Sequence, residues 1–258
     1  MSVSNIIEFK DKVLLEKAKK QTVWYFILDP QTNCPYVHDG MADLFVSPAV
    51  VSRVIKQDAL HYQKPMTIKE YRPDKRDATA GLDIFAWFYY LGLEKIKIFY
   101  DDAFGVVDRA QFMPHKDVSG MAPDERPVEN PTLRLLLSEF LGTARWDRQY
   151  EGKLEYLQKK EEEVFKELKK ARFLAPVQPV EDGENLGFAK VSNNGREYLP
   201  LFTDFSEFAK TYPMDQWKGL IVTLAEALDI AKDDAPVINF TAEAMVINKD
   251  LAERIFKG

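Results

Sequence analysis

The chain runs through one order of elements twice: helix, aromatic-rich strand, turn, a strand ending in Phe and a hydroxyl residue, helix, strand, helix and two short strands. In the first half "PYVHDGMADLFVSP" stands where the second has "REYLPLFTDF", with Phe45 and Phe202 157 positions apart. Farther on, "KIFYDDAFGVVD" faces "VINFTAEAMVIN", with Tyr100 against Phe240 and Val107 against Ile247, both 140 positions apart. The spacing shrinks by 17, so the first half holds that many extra residues in between, where its polar connector "RPDKRDAT" lies. Helices alternating with strands specify an α/β (α+β) fold, a mixed sheet flanked by helices. The repetition implies two related domains of this kind, and 258 residues suffice for two cores.

Local signals divide the chain. Helix formers over residues 5–20 lead into the β-branched and aromatic run "TVWYFIL" at Thr22. "DPQTNCPYVHDG" has turn composition, and "LFVSP" closes a strand before a helix with Ser47 as N-cap and Pro48 in the first turn. "MTIKEY" reads as a strand, "AGLDIFAWFYYLGL" as a helix ending at Gly92, and "KIKIFY" and "FGVVD" as two short strands. Residues 114–131, with four prolines and no apolar period, read as a linker. Asn130 and Pro131 then open a helix whose Leu133, Leu136, Leu137, Phe140, Leu141 and Ala144 form one apolar face, expected to pack between the halves. The expected division is 1–113, a linker and bridging helix at 114–150, and 151–258, the last folding alone. Its opening helix carries Leu154, Leu157, Val164, Leu168 and Ala171 on one side, with Glu and Lys spaced to pair along a solvated face.

The stretch "REYLPLFTDFSEFAK" reads as a strand running into a helix. Leu199 and Leu201 point to one face of the strand, and Tyr198, Pro200 and Phe202 to the other. Thr203 or Asp204 caps the helix, and Phe205, Phe208 and Ala209 form its inward stripe. Pro200 suits an edge or irregular strand. Each residue from Leu199 through Pro200, Leu201, Phe202 and Thr203 to Asp204 thus has a structural task. With "IVTLAEAL" and "APVINFTAEAMVINKDLAERI", residues 172–256 resemble the SseB protein N-terminal domain family. The resemblance implies an α/β domain of bacterial origin, a link by name to enhanced serine sensitivity, and no catalytic residues to carry over. A type III secretion translocon component shares the name. The chain departs from the family's late "NPG"-like turn, since Asn239 is followed by Phe240 and Thr241. The first half resembles the family only through its likeness to the second.

Composition narrows the function. A net charge of −6 argues against nucleic acid, which is held by clustered Lys and Arg. Cys34 is the single cysteine, so no intramolecular disulfide forms. The charged amino terminus is unlike a secretory signal, and the strongest apolar window, residues 84–93, is too short to span a bilayer, so a cytoplasmic protein away from membranes is expected. His38, His61 and His115 show no metal-ligand spacing, and neither a Gly-rich phosphate loop nor a G-x-S-x-G elbow is present. No cofactor or metal is expected. His38 and Asp39 fall in a turn, and Asp101 and Asp102 at a strand end, where α/β folds bind ligands. Trp87, Phe88, Tyr89 and Tyr90 cannot all face one core, so some are expected to meet a second surface. The expected function is a non-catalytic binding or protein-interaction module. The alternatives are an enzyme of unknown reaction, with its site near Asp101 and Asp102 or His38 and Asp39, and a secretion-associated protein.

Overall fold

A computed structural model describes residues 7–8, 12–57, 66–72, 83–101, 103–114, 117–122, 125–179 and 186–257. It has mixed α/β content and divides into two units, Met1–Lys116 and Asp117–Gly258. Most of the polar connector, His61, His115 and Asp102 lie outside the described residues.

The first unit contains β1 (Ile7–Glu8), α1 (Lys12–Lys19), β2 (Trp24–Asp29), β3 (Cys34–Pro35), β4 (Val37–His38), β5 (Met41–Phe45), α2 (Pro48–Gln57), β6 (Thr67–Tyr71), α3 (Ile84–Tyr90), β7 (Lys95–Tyr100) and β8 (Ala103–Asp108). Its sheet runs β1-β8-β7-β5-β2-β3, with β6 also on β2 and β4 on β5. Strands β5 and β7 are parallel, as are β1 and β8, and the other pairs are antiparallel. Ile7 and Glu8, expected within the first helix, extend along the edge of β8, whose backbone groups offer ladder partners. Helix α2 starts as expected, with Ser47 Oγ accepting from the Val50 N–H at 3.3 Å. Phe45, Val50, Val51, Val54 and Phe99 form one core cluster, in which the Phe45 and Phe99 rings stack at 4.9 Å. The aromatic run on α3 finds partners inside the unit. Phe88 is buried, Trp87 meets Phe26 edge-on at 5.9 Å, and the Arg109 guanidinium lies 4.9 Å from the Tyr89 ring.

The second unit contains α4 (Pro131–Ala144), α5 (Lys153–Lys170), β9 (Arg172–Pro179), β10 (Leu186–Phe188), β11 (Val191–Asn193), β12 (Arg196–Leu201), α6 (Phe205–Ala209), β13 (Lys218–Thr223), α7 (Leu224–Ala231), β14 (Ala235–Ile238), β15 (Met245–Val246) and α8 (Lys249–Lys257). One sheet runs β10-β9-β13, all antiparallel. The other runs β11-β12-β14-β15, with β12 and β14 parallel. A bridge joins the sheets: Leu174 N–H donates to Phe202 O at 2.9 Å and Phe202 N–H to Leu174 O at 3.0 Å. Pro200 falls between this bridge and Tyr198, where the β11 ladder ends, so its missing N–H leaves neither ladder broken.

Three features of this unit differ from expectation. Helix α4 packs into the unit's own core, where Leu133, Leu137 and Leu141 meet Val164 and Leu168 of α5 together with Phe173, Leu199, Leu201 and Ile238. Asn130 stands at its N-cap, but the side-chain amide donates to Arg172 O and Thr203 O, both at 2.7 Å, instead of capping. On α5, Leu154 is 70% exposed. Ten positions before Val164, it lies roughly 80° off the buried stripe at about 100° per residue. Lys153 turns inward in its place, and its ammonium donates to Trp146 O and, at 3.2 Å, to Arg148 O.

Candidate functional site

The strand-to-helix stretch ends in a buried ionic cluster. Leu199 and Leu201 enter the core with α4 and α5, while Phe202 enters a second cluster, its ring 5.6 Å from both Phe208 and Tyr212. The chain then turns into α6 with Asp204 as N-cap, as expected. Asp204 Oδ1 accepts from the Glu207 N–H at 3.0 Å and from Ser206 Oγ at 2.5 Å. Its Oδ2 accepts from Thr203 Oγ1 at 2.9 Å and from Arg134 Nη1 at 3.2 Å.

Arg134 reaches this point from α4 and is fully buried. Its Nη2 lies 2.8 Å from Glu207 Oε1, and its Nε donates to Glu243 Oε1 at 3.0 Å. Lys210 Nζ donates to the same Glu207 oxygen at 2.6 Å. Asn239, at the end of β14, holds the far side. Its Oδ1 accepts from the Thr203 N–H at 3.1 Å, and its Nδ2 donates to Thr203 Oγ1 at 2.8 Å and Glu243 Oε2 at 3.0 Å. Its φ of +47° is one that Asn tolerates better than most residues. The bend brings Glu243 back over the sheet end, where Arg145 Nη2 donates to Ala244 O at 3.0 Å.

Glu207 is a correction to the expected stripe of α6. Phe205 (43% exposed) and Ala209 are exposed, while Ser206, Glu207 and Phe208 face inward. Pairing with Arg134 and Lys210 draws the carboxylate into the interior. Burial works against its charge, but the two cations overcome this and hold its pKa below the ordinary glutamate value. Stability from this group is therefore complete above the unfolded-state value of about 4.3. Below that value the unfolded chain takes up a proton that the folded chain refuses, and the contribution is lost as pH falls toward the folded pKa. Acid titration of unfolding free energy should show a shallower decline for Glu207→Gln than for the parent chain over this window, measured from matched urea melts.

The other nominated residues lie elsewhere. Asp39 (φ +50°) and Gly40 (φ +70°) form the two-residue turn that closes the His38–Met41 hairpin, a backbone shape that Asp-Gly favours. His38 Nε2 is 3.1 Å from Asp39 Oδ2, and both side chains are exposed. Asp101 (φ +48°) follows Tyr100 in the turn between β7 and β8. Because Met41 pairs with Lys95 and Phe45 with Phe99, the two turns lie at opposite ends of a parallel pair. About 13 Å of strand separates those ends, so the acidic groups do not share one site. Cys34 is buried. Among the described residues no group of three or more His, Cys, Asp and Glu is placed to hold a metal. A cleft of about 220 Å³ beside the start of α4 is lined by Glu129, Asn130, Glu167 and Lys170, of which Glu167 and Lys170 pair with each other at 2.9 Å.

The sequence alone does not single out Arg134, Glu207 or Glu243. One partial signal is present: Arg134 and Ser138 stand four apart and border the Leu133, Leu137, Leu141 stripe, a position that helical spacing alone leaves open to core or solvent. Among the described residues no helix is long and apolar enough to cross a membrane. No curated protein and no solved structure matches the chain. Residues 153–252 match the family model described as the SseB protein N-terminal domain, a span that takes in Asp204, Glu207, Asn239 and Glu243 but not Arg134.

Proposed function

We propose that the chain is a tandem of two SseB-type domains, the first divergent, working in the cytoplasm as a non-catalytic protein-interaction module. Strand register supports the tandem. The parallel pair joins Leu44 to Ile98 in the first unit and Leu201 to Ile238 in the second, positions 157 and 140 apart. The next pair joins Ile98 to Gly105 and Ile238 to Met245, again 140 apart on both strands. Leu28 meets Thr67 as Val177 meets Lys218. The hairpins turn at Asp39-Gly40 and Asn194-Gly195, with positive φ at all four residues. At the same offsets Asp204 falls on Ser47, which also caps a helix, while Thr203, Glu207, Asn239 and Glu243 fall on Val46, Val50, Phe99 and Ala103, so the cap recurs and the rest of the polar cluster has an apolar counterpart.

The observation that carries the interaction reading is the free edge of β13. Leu220 and Ile221 are 36% and 39% exposed on a strand that, among the described residues, is paired on one side only, by β9. At the matching positions β6 carries Lys69 and Glu70, charges of the kind that protect an edge from strand addition. An extended partner segment added to β13 would gain main-chain hydrogen bonds and apolar contacts together. The net charge of −6 favours a protein over nucleic acid. The test is affinity capture from the source cell lysate with the full chain and a Leu220→Lys/Ile221→Lys variant, reading proteins and small molecules by mass spectrometry. A protein retained by the parent and lost by an equally stable variant is the expected result. A retained metabolite with no protein would replace this reading with a small-ligand one.

A further inference from the structure

We propose that the second unit contains a guanidinium-binding cradle, formed by Asp204, Glu207 and Glu243, and that α4 fills it in cis with Arg134. The inference is independent of which partner the module holds. The three guanidinium nitrogens meet three different carboxylates: Nε is 3.0 Å from Glu243, Nη1 3.2 Å from Asp204 and Nη2 2.8 Å from Glu207. That arrangement reads the planar fork of a guanidinium, which an ammonium point charge cannot span.

The walls are held by bonds that do not involve the ligand. Asp204 is fixed by its cap of α6 and by Ser206 and Thr203, Glu207 by Lys210, and Glu243 by Asn239. Acceptor capacity is left over, because Glu207 Oε2 is buried and, among the described residues, accepts no hydrogen bond. Receptor and ligand are also separate along the chain: the three carboxylates fall within the span matched at 153–252, and Arg134 falls before it. The cradle therefore selects the guanidinium group of an arginine side chain, presented from a helix, and does not merely attract positive charge.

Chemical rescue in the full chain tests this. Arg134→Ala and Arg134→Lys are both expected to melt on the order of 10 °C below the parent, because three buried carboxylates lose their shared partner. Methylguanidinium chloride at millimolar concentration should raise the melting temperature of the alanine variant saturably, as a ligand bound only by the folded state does. Methylammonium chloride at equal ionic strength should not, and the parent chain should respond to neither. If the alanine variant is unfolded alone, the same readout is recovery of its far-UV circular dichroism with methylguanidinium. Equal effects of the two salts, or no recovery with methylguanidinium, would overturn the cradle. So would a lysine variant that melts with the parent, since charge alone would then suffice.

Discussion

A fragment spanning residues 151–258 is expected to stay unfolded, whereas one spanning 117–258 unfolds in a single cooperative transition. The shorter fragment lacks α4, which supplies Leu133, Leu137 and Leu141 to the core and Arg134 to the ionic cluster. Losing a buried leucine side chain costs about 2–5 kcal/mol. Removing the partner of a buried charge costs about 3–5 kcal/mol more. For three leucines and one charge this comes to about 9–20 kcal/mol, comparable to or greater than the roughly 5–15 kcal/mol that holds a typical domain folded. Urea melts followed by far-UV circular dichroism separate the cases. A cooperative transition in the 151–258 fragment, close to that of 117–258, would mean that α4 is an accessory and that the Arg134 cluster is dispensable for folding.

The same helix shows where local reading of the sequence stops. The apolar spacing of α4 marked it as buried on one face, and that much follows from a period of 3.6. What the face packs against depends on residues far along the chain, and the same pattern serves a helix between domains or within one. Charge is harder still. Arg134 pairs with Asp204 and Glu243 across separations of 70 and 109 positions. No local pattern encodes such a pair, and Glu207 on a short helix resembles any solvated glutamate until Arg134 arrives.

Features set by neighbouring residues were legible. Ser47 with Pro48 opens α2, Asp204 caps α6, and β6, β7 and β8 lie where their β-branched and aromatic runs put them. The backbone of Asp39-Gly40 and of Asp101 is likewise local, and both turns read as turns. Four consecutive rings on α3 cannot share one face, and two of them, Trp87 and Tyr89, are received by Phe26 and Arg109, on elements too distant in sequence to be seen.

Phe202 addresses most directly whether "YLPLFTD" is framework or contact surface. Its ring is fully buried and meets Phe208, Tyr212 and Phe240 at 5.6–5.8 Å, and its backbone bridges the two sheets through Leu174. Phe202→Ala should destabilise the unit by about 3–5 kcal/mol, from lost burial and the cavity left behind. In a chain of this size that lowers the melting temperature by roughly 10 °C. The decisive measurement is the melting temperature of Phe202→Ala set beside its partner capture, with capture performed well below the transition. The account predicts a large fall in melting temperature with capture kept while the protein is folded. An unchanged melting temperature with capture lost would make Phe202 part of a contact surface and contradict the architectural reading.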